Sequence, residues 1–147
     1  MGTDHTFKSK APIVIHWLMR DFHLKDFQAA GILGNLGHES GGLALLREIG
    51  ASPGRGGFGW GQWTGSRARA FLNWCHIRKL DWRSDAGNYG YLHQELSRDY
   101  AYVIAHLHEC DTVEEATEVF ERYYERAGVV AMGDRIRWAK IALATER

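Results

Sequence analysis

Apolar residues recur along most of this chain at helical spacing. Ile13, Val14, Trp17 and Leu18 follow Pro12 in steps of three and four, which predicts a first helix with proline in its opening turn. Residues 25–39 predict a second helix, with Phe27, Ala30, Ile32, Leu33 and Leu36 on its buried side. Gly31, Gly34 and Gly37 weaken that helix by up to about 1 kcal/mol each relative to alanine. Glycines at this spacing let another backbone approach closely, and Gly41-Gly42 ends the helix as a left-handed cap would. Residues 43–49 read as no more than a short helical turn. The period is then lost. Residues 50–61 are dense in glycine and contain Pro53, which predicts a loop or a small irregular hairpin held by its aromatic side chains.

Thr64 or Ser66 caps a predicted third helix running to about Lys79, with Ala70, Phe71, Trp74 and Cys75 in phase. Residues 81–87 form a polar break. A fourth helix spans about 88–98 on Tyr91, Leu92, Glu95 and Leu96, and a short fifth spans about 100–109. Thr112 with Glu115 is a capping box that opens a sixth helix through Arg126, closed by Gly128. A last helix runs from Gly133 to about Thr145. The expected fold is all-α, one domain over residues 1–147, with a small irregular or β-hairpin insert near residues 50–63.

Charge changes the picture mainly by exclusion. Eighteen basic residues balance eighteen acidic ones, so the basic excess of a non-specific nucleic-acid binder is missing. No apolar run approaches the roughly 18 residues of a membrane span. The first ten residues lack the apolar core of a secretory signal, and Gly2 alone is a weak basis for myristoylation. Cys75 and Cys110 sit among apolar neighbours in predicted helices and read as buried free thiols, with a bridge between them as the alternative. The eight histidines form no metal-binding motif: there is no His-Glu-x-x-His, and His106 and His108 face different ways. No nucleophile elbow or phosphate loop occurs either, so neither metal nor cofactor is expected. Glu114, Glu115, Glu118, Glu121 and Glu125 read as solvated helix surface.

Glu39 is the leading candidate for chemistry. It stands at the C-terminal end of a helix, where the dipole disfavours a negative charge. Small residues beside it leave room for a large substrate. A carboxyl group desolvated in such a place stays protonated near neutral pH and can protonate a leaving oxygen. Trp60 and Trp63, in the glycine-rich loop, are the expected cleft wall. Aromatic faces pack on sugar rings and amides such as Gln62 read their hydroxyl and N-acetyl groups. The alternative for both tryptophans is a structural role, pinning the loop onto the helices.

The run Gly31-Ile-Leu-Gly-Asn-Leu-Gly-His-Glu-Ser-Gly, followed by Gly57-Phe-Gly-Trp-Gly-Gln-Trp-Thr-Gly-Ser-Arg, resembles the phage tail lysozyme family. These are muramidase domains akin to goose-type lysozymes and lytic transglycosylases. Thr112 to Gly128 looks like the family's closing helix, and Arg135-Ile-Arg-Trp-Ala follows in the expected order. The likeness spans roughly residues 10–145. It implies a lysozyme-like helical fold that cuts the β-1,4 bond between N-acetylmuramic acid and N-acetylglucosamine. By the same likeness Glu39 matches the catalytic glutamate, with Ser40 beside it. Gln62, Trp63 and Thr64 match the cleft-lining loop, and Tyr123 or Tyr124 falls near the glutamate. Where the family tends to carry proline, this chain has Ala127, so the exit of the late helix departs from the pattern.

The second catalytic group stays open. A retaining enzyme places a second carboxylate about 5 Å from the acid and an inverting one about 6.5–9.5 Å away. Glu48, Asp81, Asp85 and Glu95 are candidates. Glu48 lies between the two motifs but equally suits the surface. Glu95 also reads as a buried acid paired with an arginine. Three functions compete: a muramidase of the endolysin type, a lytic transglycosylase that leaves anhydro ends, and an idle glycan-binding or tail structural module. Expected besides are a monomer, bacterial peptidoglycan as partner, and either the host cytoplasm before lysis or the virion tail as location.

Overall fold

A computed structural model describes residues 2–48, 50 and 55–147. The described residues form seven α-helices: α1 Gly2–Phe22, α2 Asp26–Glu39, α3 Gly65–Ile77, α4 Asp85–Ser97, α5 Ala101–His108, α6 Val113–Phe120 and α7 Met132–Glu146. A π turn, Glu121–Glu125, continues α6. The described residues hold no named strand. Residues 57–63 are pinned instead by isolated antiparallel bridges, Arg47 with Phe58 and Phe58 with Trp63. The mainly helical class and the small irregular insert therefore match the expectation; Pro53 lies outside the described residues.

Helix α2 is the axis of the fold. Every residue from Gln28 to Gly37 is buried, so the helix is covered on all sides, as its apolar composition demands. Helices α1, α6 and α7 pack around it. The glycines at 31, 34 and 37 make that possible. A Cβ at Gly31 would lie 2.6 Å from the backbone of Ala116 in α6. One at Gly34 would lie 2.5 Å from both the Ala139 Cβ and the Arg135 carbonyl oxygen in α7. Gly37 seats the rings of Phe7 and Trp138. The close approach presses the backbones of α6 and α7 onto the helix that ends in Glu39.

Gly34→Ala is thus expected to destabilise the protein by about 1–3 kcal/mol, since overpacking against backbone outweighs the gain in helix propensity. Urea unfolding of parent and variant measures it; a variant as stable as the parent would contradict this packing.

Two boundaries and one cap differ from the sequence reading. Helix α1 starts well before Pro12, which lies inside it. Phe7 and Ala11 are fully buried, and that packing supports a segment too polar to be read as helical. Helix α4 starts at Asp85 because Ser84 caps it, accepting a hydrogen bond from the Gly87 amide at 2.9 Å. The late helix ends at Arg126, with φ of +50°, before Gly128 is reached. The Thr112 cap forms as expected, accepting from the Glu115 amide at 3.1 Å. Cys75 and Cys110 are free and buried. No helix among the described residues is long and apolar enough to cross a membrane.

Candidate active site

Glu39 is the last residue of α2. The chain behind it turns sharply: Gly41, Gly42 and Leu43 all have positive φ, and the Gly42 amide donates back to the Gly37 carbonyl at 2.8 Å. This cap fixes where the Glu39 carboxyl points. Facing it is the glycine loop. The Phe58–Trp63 bridge closes a tight turn in which Gly59 and Gln62 take positive φ. Asn88 of α4 anchors that turn, accepting from the Trp60 amide at 2.8 Å and donating to the Trp82 and Ser84 carbonyls.

Between them lies a groove of about 370 Å³, lined by His38, Glu39, Gly61, Gln62, Trp63, Thr64, Arg67, Glu125, Ala127, Gly128, Val129 and Arg135. A second hollow of about 300 Å³ runs on past His38, Glu39 and Gln62 to Leu45, Arg47 and Glu48. A cavity of similar size lies elsewhere, between Trp74 and Glu95. Size alone does not single out the first groove; its charges do.

The Glu39 side chain is 20 % exposed, and its Oε2 accepts from the Arg135 guanidinium at 2.8 Å. Arg135 is 1 % exposed, and its three nitrogens serve three partners. Nε donates to the Val130 carbonyl at 2.6 Å and Nη1 to Asn35 Oδ1 at 3.1 Å, while Nη2 takes Glu39. Asn35 is itself held by the Gly31 and Thr117 carbonyls. A buried network of this kind positions a charge in one orientation. The Glu125 carboxyl, carried on the π turn, lines the same groove as Glu39. Its Oε1 is buried and has no hydrogen-bond partner. Burial first, and the Glu39 charge second, push Glu125 well above the usual carboxylate range. Two carboxyls that share one groove do not both ionise cheaply.

A sequence model of the phage tail lysozyme family matches residues 9–145, nearly the whole chain. This chain belongs to that family. A search of curated proteins finds no match to it. As a member of this family, the chain has a lysozyme-like function directed at peptidoglycan and a glycosidase type of chemistry.

The other residues singled out in the sequence fall into two groups. Gln62 and Thr64 line the groove beside Glu39, and Glu48 lies on the adjoining hollow, its Oε1 accepting from the Gly57 amide at 3.1 Å. Gln62 is fixed by its donation to the Gly59 carbonyl at 2.9 Å. The rest serve mainly the fold. Trp60 has no exposed surface and offers no face to a sugar. Trp63 is 2 % exposed and gives only an edge, its ring packed on Phe71 and Tyr91. The stacking platform expected from Trp60 is therefore corrected to a core role, since loop anchoring turns its ring inward, whereas Trp63 lines the groove as expected with little open surface. Ser40 is fully buried, its hydroxyl donating to the Leu36 carbonyl and accepting from the Leu43 amide. Tyr123 stacks on His106, ring centroids 4.3 Å apart, and lies away from the groove lining.

Glu95 and Tyr124 belong to a second buried network behind the groove wall. Arg67 grips Glu95 through two bonds of 2.7 and 3.1 Å. The Tyr91 and Tyr124 hydroxyls also donate to Glu95, and Trp63 Nε1 donates to the Tyr124 oxygen at 3.0 Å. The carboxylate is thus fully engaged, while Arg67 reaches the groove. Asp81 caps the turn before α4, accepting from the Arg83 amide, and Asp85 pairs with Lys10.

Sequence reading missed Arg67, Glu125 and Arg135. Glu125 was expected on solvated surface, as was Glu121, which is buried and accepts from the Ala127 amide at 3.0 Å. Only a phase argument could have found them. In α7 the buried positions are 135, 138, 139 and 142, so Arg135 sits on the apolar stripe. Glu121 and Glu125 likewise follow the buried Thr117 in steps of four.

Proposed function

We propose that this protein cuts the β-1,4 bond between N-acetylmuramic acid and N-acetylglucosamine, with Glu39 handing a proton to the glycosidic oxygen. One observation carries the reading. A partly exposed carboxyl at the end of α2 lines a polar groove together with a second carboxyl, Glu125, that has a buried oxygen without a partner. As the C–O bond breaks, its electron pair goes to the leaving oxygen, which takes the proton. Positive charge develops at the anomeric carbon, and water adds there. His38, Gln62, Thr64 and Arg67 give the groove the polar groups that hydroxyl and N-acetyl recognition requires.

Among the described residues that line this groove the only carboxyls are Glu39 and Glu125, and Glu125 keeps a buried oxygen rather than presenting the open carboxylate that a protein nucleophile needs. This favours attack by water or, as a second reading, by the sugar's own C6 hydroxyl in a lytic transglycosylase. Mass spectrometry of the muropeptides released from purified peptidoglycan tests the proposal. Reducing ends are the expected product. Anhydro ends would replace hydrolysis by transglycosylation, and wall binding without new ends would overturn both.

A further inference from the structure

We infer that Glu125 is a positioning residue for Glu39: the two carboxyls hold one proton between them, Arg135 and Arg67 stand ready to balance the charge left when it departs, and this pair is the proton source of the reaction. The inference rests on the glycosidase reading above and deepens it.

Geometry supports it from three sides. Both carboxyls line the same groove. Glu125 keeps one buried oxygen without any partner, an arrangement that a neutral acid tolerates far better than an ion does. The π turn places it there. Its wider winding, sealed by the Arg126 amide donating to the Glu121 carbonyl at 2.7 Å, turns Glu125 inward after the regular part of α6.

Charge balance follows from the surroundings. Facing the pair are Arg135 of α7, Arg67 of α3 and His38 of α2. His38 is engaged with Asp134 of α7 at 2.6 Å, and Glu95 of α4 lies beyond Arg67. With one proton the pair carries a single negative charge; after transfer it carries two. Both arginines act to favour ionisation of Glu125, against burial and the neighbouring carboxylate. The departing proton joins the leaving-group oxygen, and the water or hydroxyl that attacks the anomeric carbon returns one to the pair. Atoms and charge balance over the cycle for either product.

The sign of the pH dependence is fixed. The raised Glu125 value means that the folded state holds a proton that the unfolded chain gives up at ordinary carboxylate pH. Its contribution to stability is full below the unfolded value and is lost as pH rises through the folded one. Activity that needs this proton falls over the same high-pH range.

Two experiments test the pair. In Glu125→Gln the like-charge neighbour of Glu39 is gone, so the alkaline limb of the rate profile on peptidoglycan is expected to move down by about one pH unit or more. At the parent's optimum the rate drops about tenfold or more, and much of it returns at lower pH. A purely structural role lowers the rate equally at every pH, and an unmoved limb would overturn the inference. The second experiment needs no variant. Carbon-13 NMR titration of the glutamate carboxyls in the parent is expected to show two signals that respond together, in one acidic and one high step. Two independent ordinary titrations would overturn it. Failures are distinguishable: a parent that titrates as a pair yet never cuts glycan refutes the enzymatic reading alone.

Discussion

Glu39→Gln is expected to fold like the parent and to lose wall-lytic activity by roughly 10²–10⁴-fold or more, the usual worth of a positioned general acid. The amide keeps the shape of the side chain at the end of α2 and can still accept from Arg135. What it cannot do is release a proton. The buried guanidinium is not left alone either, because Glu125 then becomes free to ionise against it. The effect on stability should therefore be small, and the loss should fall on the rate of new glycan ends, not on the fold. Circular dichroism and thermal unfolding check the first part, and an assay on purified peptidoglycan the second. A Glu39→Gln protein that clears peptidoglycan at the parent rate would end the proposed mechanism.

Arg135→Met carries the second large effect. Its guanidinium is 1 % exposed and joins Glu39 at the end of α2, Asn35 within α2 and the Val130 carbonyl before α7. Methionine fills much of the space but leaves the carboxyl pair without its nearest cation and two buried acceptors without a donor. Breaking one side of a buried ion pair costs about 3–5 kcal/mol. Against a total stability of roughly 5–15 kcal/mol, the loss would be visible as a large fall in the urea midpoint. Arg135→Lys keeps the charge but cannot reach three partners in three directions, so it should recover only part of the loss. A methionine variant as stable as the parent would mean that this network does not hold the groove together.

Much of the fold was legible because α2 announces itself. Apolar residues on every side, broken only by glycines at 31, 34 and 37, describe a helix that others must cover closely, and the structure covers it with α1, α6 and α7. The Gly41-Gly42 cap and the Thr112 cap were equally plain, since each solves a local hydrogen-bonding problem. The start of α1 was not, because Phe7 earns its helix only by packing on Trp138, far along the chain.

At the site, Glu39, Gln62 and Thr64 were found through motif and spacing, and they do line one groove. Trp60 was misplaced because a tryptophan in a glycine-rich loop can face a ligand or the core, and only tertiary contacts choose; Trp63 lines the groove with Gln62 and Thr64. Glu125 and Arg135 were hidden for the opposite reason. A charged residue in an amphipathic helix reads as solvated unless its phase is compared with that of its buried neighbours. Their partners lie on α2, close in space and distant in sequence.

The most direct measurement is the length of glycan strands after exposure of intact peptidoglycan to the protein, with the peptide stems stripped off afterwards and the strands sized. Strands shortened by the parent and left at full length by Glu39→Gln are expected. Unchanged strand lengths while the wall dissolves would place the cut in the peptide, and equal shortening by the variant would remove Glu39 from the chemistry.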